Sequence, residues 1–426
     1  MATSIEPLLV LLLVAVVVVI VAQRLRFPYT AALVVLGVAL GYLIAPGGAL
    51  RFLAGGSAVF SPDLFFVILL PPIVFEAGLH INFPMLRRRA GMVVFLVLFG
   101  VVFTTIFTGF LVFWIVGIPL LFALLLAAIL SPTDPIAVVD LFRRLKVPAE
   151  LSTIVEGESL LNDAVGVSTF AVLLAIVGGG TWSAIRIGTD FLWLTFGGAA
   201  VGLLAAGGVY VLHRRLRDPA VETALSIVAA YGSYLLAARI GASGIVAVAI
   251  AGIAVGTWVA PRAMGADVRS AVTTFWSVVV YVVNSVIFLA IGLLGATNGL
   301  WQNLPLILLV VAVLFVGRAL FVYVLRPLSA AVERPNRRIP PSWYNVVTLA
   351  GIRGAIPVVL ALSLISNTAI PSATRGTIVS VVVGVALVTV VVGNVVAELY
   401  VTRRFRPSSG RPDGAGAAAP GSTPGG

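Results

Sequence analysis

Long apolar runs dominate the chain, and short polar clusters separate them. A helix needs about 20 apolar residues to cross a bilayer. Runs of that size fall at 5–22, 28–45, 62–81, 90–116, 119–142, 150–177, 189–212, 220–238, 242–260, 270–295, 302–325, 343–364 and 376–401. The pattern predicts an all-α polytopic membrane protein with about 13 transmembrane helices over residues 1–406. The stretch 407–426, rich in Pro, Gly, Ala and Ser, reads as a disordered cytoplasmic tail rather than a soluble regulatory domain. No period of the length that marks a solenoid is evident.

The polar clusters orient these runs. With the N-terminus outside, the inner connections hold 21 of the 27 basic residues and the outer ones hold 4 (Arg51, Arg186, Arg239 and Arg375). Arg318 and Arg353 fall inside apolar runs. This is the positive-inside distribution, and a different number of spans would scramble it. The first run follows Glu6 and precedes Arg24 and Arg26, the reverse of the charge order in a signal peptide, so it reads as a retained helix.

Composition narrows the class. Charged residues make up 10% and apolar residues 60%, against about 25% charged in soluble domains. The net charge of +11 comes from loop clusters rather than a solvated basic face, which excludes a nucleic-acid partner and leaves the lipid bilayer. With no Cys and two His, thiolate metal centres, disulfide frameworks and cysteine nucleophiles are excluded. Arg outnumbers Lys 26 to 1, a bias that hints at a prokaryotic plasma membrane.

An ionisable group at membrane depth is costly and marks a pathway or relay. The acidic ones are Glu76, Asp134, Glu156, Glu158 and Asp163, whereas Asp140, Glu222 and Glu398 read as interfacial. His80 and His213 also read as interfacial, with His80 near Glu76 as a possible proton-entry group. Arg318 reads as snorkelling from about two turns inside the inner end of its run.

Two runs look interrupted. Ser131-Pro132-Thr133-Asp134-Pro135 carries two prolines that an unbroken helix would not accommodate; a simple proline kink is the alternative. Gly351-Ile352-Arg353-Gly354-Ala355-Ile356-Pro357 is a second interruption, seven runs later. An odd offset reverses orientation, so two inverted-topology six-helix repeats would bring the breaks face to face near the midplane. Between them, Ser159, Asn162 and Asp163 stand at i, i+3 and i+4 on one helix face. These side chains offer hard oxygen ligands suited to an alkali cation, although a hydrogen-bonded polar seam is the alternative. Arg353 needs a buried carboxylate, and Glu158 is the candidate because it leaves Asp163 free.

At these residues the chain resembles the monovalent cation:proton antiporter-1 family, which contains the sodium/proton exchangers. The resemblance rests on Leu70-Pro71-Pro72-Ile73-Val74-Phe75-Glu76-Ala77-Gly78, Thr133-Asp134-Pro135, Glu156-Gly157-Glu158-Ser159-Leu160-Leu161-Asn162-Asp163-Ala164 and Arg353-Gly354-Ala355. It implies a homodimer whose six-helix core contains two crossing discontinuous helices and moves elevator-like against a dimerisation domain. It implies that Asp163 takes either a cation or a proton, with Thr133, Asp134, Ser159 and Glu76 around the ion. Asn162 would orient the site, and Glu158 with Arg353 would form its structural ion pair. Ile356-Pro357 departs from many sodium exchangers and leaves K⁺ or Li⁺ open beside Na⁺. The expected activity is non-enzymatic and needs no cofactor: electroneutral exchange of one monovalent cation for one H⁺ across the plasma membrane. A cation channel is the alternative from another class, but channels repeat one pore element around an axis.

Overall fold

The computed structural model of the chain describes residues 29–44, 64–134, 136–145, 147–179, 183–213, 218–297, 299–332, 339–365 and 367–405, with scattered positions between 13 and 24. The expected first span lies largely outside these residues, and the expected tail wholly so.

Among the described residues the regular structure is entirely helical. The principal helices in chain order are α1 (Tyr29–Ile44), α2 (Phe66–His80), α3 (Phe83–Arg88), α4 (Ala90–Val116), α5 (Leu120–Ile129), α6 (Ile136–Leu145) and α7 (Ala149–Val177). They continue with α8 (Ile185–His213), α9 (Pro219–Arg239), α10 (Gly244–Ala263), α11 (Ala266–Thr297) and α12 (Leu304–Val332). The last are α13 (Pro341–Leu349), α14 (Ala355–Ser363) and α15 (Ser372–Phe405). Eight of these are long and apolar enough to cross a membrane, and α1, α2 and α5 are shorter apolar helices. Helices suit this sequence because hydrocarbon offers no partner to backbone amides and carbonyls, which must bond within their own segment.

Local chemistry sets the ends. Asp218 caps α9 by accepting from the amides of Ala220 and Val221 at 2.8 and 3.3 Å, and Pro219 follows at a position that needs no donor. Gly117, at φ 76°, ends α4 in the left-handed conformation that glycine takes without penalty. Short π-helical stretches interrupt α8, α10 and α15 at 193–197, 255–259 and 389–393.

Two glycine-lined crossings organise one side of the bundle. A Cβ on Gly37 of α1 would stand 2.3 Å from Leu289 O and 2.9 Å from Gly292 Cα of α11. One turn further on, Gly41 meets Ala296, so the two helices run parallel in constant register. Similarly, Gly78 of α2 packs on Gly252 of α10, where a Cβ on Gly252 would stand 2.5 Å from Phe75 O. Only small residues allow backbones this close, and such contacts stabilise helix pairs in lipid.

Two expectations need correction. His213 and Glu222 do not sit in interfacial water: both are buried, and His213 Nδ1 pairs with a Glu222 carboxylate oxygen. The reason is packing, since the end of α8 and the first turn of α9 turn these side chains toward each other inside the bundle.

Candidate functional site

The interruptions expected at the two Pro- and Gly-rich motifs separate α5 from α6 and α13 from α14. They touch: the Asp134 amide donates to Ile352 O at 2.7 Å. Gly354, at the N-terminus of α14, lies so close to Asp134 that a Cβ there would be 2.0 Å from Asp134 Oδ2. No other residue fits that approach. It leaves the Asp134 carboxylate beside the start of α14, where the helix dipole favours negative charge and no side chain caps the helix.

Carbonyls freed by the first break are taken up by α7. Ser159 Oγ donates to Thr133 O in a short bond, and Asn162 Nδ2 donates to Ser131 O at 3.1 Å and lies 3.3 Å from Thr133 Oγ1. The Thr133 amide in turn donates to the Asp163 carboxyl group. The i, i+3, i+4 face of α7 therefore clamps the irregular backbone, which satisfies the requirement that non-helical chain at membrane depth be paired or line a cavity. The second break is held similarly from α15: Thr389 Oγ1 accepts from the Arg353 amide at 3.0 Å.

One oxygen of this arrangement stands out. Asp163 Oδ1 is buried against solvent and has no hydrogen-bond partner, and Asn162 Oδ1 shares that condition. A buried carboxylate oxygen with nothing to accept from is costly, so the position suits a bound cation or proton. Asp134, Glu158 and Arg353 all lie within Coulombic reach of Asp163.

A cavity of about 970 Å³ opens over these groups. One bank carries Thr133, Asp134, Ser159, Asp163, Gly354 and Pro357 from α7, α14 and the two breaks. The opposite bank carries Glu76 from α2, Thr30 from α1, and Ser277 and Asn284 from α11. Ser277 Oγ donates to Glu76 Oε1 at 3.4 Å, and His80 Nδ1 lies 3.2 Å from the same oxygen. His80, Arg143, Arg144, Glu156 and Glu398 also line the cavity. The structure thus brings Thr133, Asp134, Ser159, Asp163 and Glu76 to one space, with Asn162 behind them.

The pairing expected between Glu158 and Arg353 is not what the structure contains. Glu158 is gripped by Arg318, whose Nη1 and Nη2 donate to Oε1 and Oε2 at 2.6 Å each. Nη2 also donates to Val347 O at 3.1 Å. Arg318 does not snorkel: it is 6% exposed, because α12 runs on to Val332 and leaves the residue well inside the bundle. Arg353 is 2% exposed, and its Nε and Nη1 have no hydrogen-bond partner. Its charge is met at longer range by Glu158 and Asp163. Arg318 was singled out only as a snorkelling residue, and Thr389, Thr30 and Asn284 were not singled out by the sequence. The first carried a signal, being the second arginine inside an apolar run; Asn284 carried a weaker one, as an amide in the run Val282-Val283-Asn284-Ser285-Val286.

Among the described residues no cluster of three or more His, Cys, Asp or Glu could hold a resident metal. The oxygen-only set of carboxylates, hydroxyls and backbone carbonyls suits a hard monovalent ion instead.

Comparison with known proteins agrees with this chemistry. Residues 9–402 match the family model described as sodium/hydrogen exchanger, transmembrane. The chain is 32% identical over 381 residues to the Na⁺/H⁺ antiporter ApNhaP of Aphanothece halophytica, covering 89% of this chain and 70% of the relative. It is also 32% identical to the Na⁺/H⁺ antiporter NhaH of Halobacillus dabanensis, covering 81% and 85% of the two chains. The fold matches that of the sodium proton antiporter MjNhaP1 of Methanocaldococcus jannaschii, with a TM-score of 0.76 at 22% identity over 94% of this chain and 97% of the other.

Proposed function

The chain belongs to the sodium/hydrogen exchanger family, and from that premise we propose that it exchanges one monovalent cation, Na⁺ first and K⁺ or Li⁺ as alternatives, for one H⁺ at Asp163. As a member of a transporter family it is not an enzyme, and the ions it moves are substrates rather than cofactors.

The observation that carries this reading is the unpartnered Asp163 Oδ1 at the cavity where the two breaks meet. An anionic carboxylate held away from water must be neutralised, and a proton or a cation can do so, but not both at once. Thr133, Asp134 and Ser159 would complete the ion's shell from the same bank, with Glu76 facing them.

A charge count supports electroneutrality. Around the two breaks stand three carboxylates, Asp134, Glu158 and Asp163, and two guanidinium groups, Arg318 and Arg353. One monovalent ion or one proton cancels the remaining negative charge, and a neutral core is far cheaper to carry through a low-dielectric barrier. Asp163 then cycles between two neutral states, and each turn moves no net charge.

Internal symmetry supports two inverted repeats within thirteen spans. An offset of seven spans exchanges the α1–α11 crossing with the α2–α10 crossing, and exchanges the two breaks with each other. It also exchanges α4 with α12, where Gly100 packs on Phe321 and Gly317 packs on Phe107. A site lying between two banks suits an elevator movement of the bank bearing Asp163 against the glycine-locked bank. Homodimer assembly through the locked bank, and an outside N-terminus, complete the proposal.

The test is cation-driven dequenching of a pH dye in everted membrane vesicles. Wild-type protein should collapse the proton gradient on adding Na⁺, and Asp163→Asn should insert normally and fail to do so. Normal transport by that variant would remove Asp163 from its role.

A further inference from the structure

Two oxygen atoms on the bank opposite Asp163 have no role in the reading above. Asn284 of α11 and Thr30 of α1 both line the cavity, and each is 2% exposed. Asn284 Oδ1 and Thr30 Oγ1 are buried without any hydrogen-bond partner. Buried amide and hydroxyl oxygens are nearly always paired, because leaving one unsatisfied costs about 1–3 kcal/mol.

The two are placed together by the helix register. Gly37 stands against Gly292 and Gly41 against Ala296 in the parallel α1–α11 pair. The same offset sets Thr30 level with Ser285, beside Asn284. The rings of Tyr29 and Tyr281, 5.7 Å apart between centroids, brace the pair on the same cavity wall. The tight backbone contact of α1 with α11 holds these oxygens in place, which is how a site keeps ligands spaced for an ion rather than letting them collapse onto each other.

We propose that Asn284 Oδ1 and Thr30 Oγ1 are cation ligands on the facing bank, engaging the ion opposite Asp163 and setting which alkali cation is preferred. Both are neutral hard oxygens, suited to replace water on Na⁺ or Li⁺ without adding a charge that would alter the count above. This rests on the antiport reading and extends it. Because the two oxygens lie on the bank that does not carry Asp163, they hold the ion only while the banks are juxtaposed in this arrangement. They therefore act on ion capture rather than on passage.

The test uses Asn284→Leu and Thr30→Val in the full-length protein, with Thr30→Ser as a variant that keeps a neutral oxygen ligand. In everted vesicles each apolar variant should raise the KM for Na⁺ about tenfold, as expected for loss of one bond to a charged group, and leave the maximal rate within about twofold. The ratio of Na⁺ to K⁺ affinities should change with it, and Thr30→Ser should keep the wild-type KM. A packing role alone would lower the maximal rate and leave the cation ratio alone. Thermal stabilisation of the detergent-solubilised protein by Na⁺ or Li⁺, measured separately, should shrink in the same variants. If Asn284→Leu yields no folded protein, the near-isosteric Thr30→Val decides. Unchanged KM, cation ratio and stabilisation in the folded variants overturns the assignment. Wild-type protein that is stabilised by Na⁺ yet exchanges no protons overturns the antiport reading instead, and the stabilisation assay still decides the ligands. Wild-type protein that shows neither overturns both.

Discussion

Arg318 holds Glu158 through two parallel hydrogen bonds of 2.6 Å, joining α12 to α7 across 160 residues of sequence. The fork of the guanidinium matches the two carboxylate oxygens, the geometry that makes arginine the preferred partner for a buried acid. Its side chain passes Gly351 on the way, with Cγ 3.5 Å from where a Cβ would be, so the pair also lies against the second break.

Removing one partner would strand the other charge. Glu158→Gln or Arg318→Met should each destabilise the folded protein by about 3–5 kcal/mol, read as loss of folded yield and a lowered melting temperature in detergent. Glu158→Arg combined with Arg318→Glu should recover part of the loss. The same exchange between Glu158 and Arg353 should recover none, because that pair shares no hydrogen bond.

Gly354→Ala would place a methyl group 2.0 Å from Asp134 Oδ2. Overpacking of this kind costs about 1–3 kcal/mol, and here the strain falls on the contact between the breaks. Vesicle assays should show a large fall in maximal exchange rate, with a smaller change in melting temperature than the Glu158 variants give. Wild-type exchange would mean that the Asp134–Gly354 contact is dispensable.

Electroneutral exchange predicts no sustained current. On a solid-supported membrane, a Na⁺ concentration jump should give at most a brief charge displacement, with proton flux insensitive to membrane voltage. A steady current that reverses with voltage would require a second titrating carboxylate and overturn the one-for-one count.

Glu222→Leu should leave His213 buried with neither ring nitrogen bonded, since its Nε2 already lacks a partner. We expect a loss of about 1–3 kcal/mol, seen as a lower melting temperature, and a KM for Na⁺ unchanged within twofold. A selective change in KM would tie this pair to ion capture.

The helical segments could be read directly from the chain because apolar runs in lipid have few alternatives to the helix. The interruptions were legible for a similar reason: Pro132, Pro135 and Gly351 to Pro357 remove donors or weaken helix at membrane depth. The shared face of Ser159, Asn162 and Asp163 follows from helical period alone. The partner of Glu158 was not legible, since two arginines of equal standing lay in apolar runs and only the course of α12 beyond residue 325 separates them. The burial of His213 and Glu222 was hidden for the same cause, because nearness to a run's end does not say which way a side chain turns. Asn284 showed only as an amide in an apolar run, and Thr30 could not be found at all without the register of α1 on α11.

The glycine contacts of α1 with α11 and of α2 with α10 have a bearing on leakage. Backbones that meet at van der Waals distance leave no room for a thread of water, so that flank insulates one face of the membrane from the other. Hydrogen ions then have no short circuit past the carboxyl group proposed to carry them. Widening either seam with a single methyl should loosen that insulation as well as the helix pair itself, since the added carbon would stand as little as 2.2 Å from a backbone oxygen.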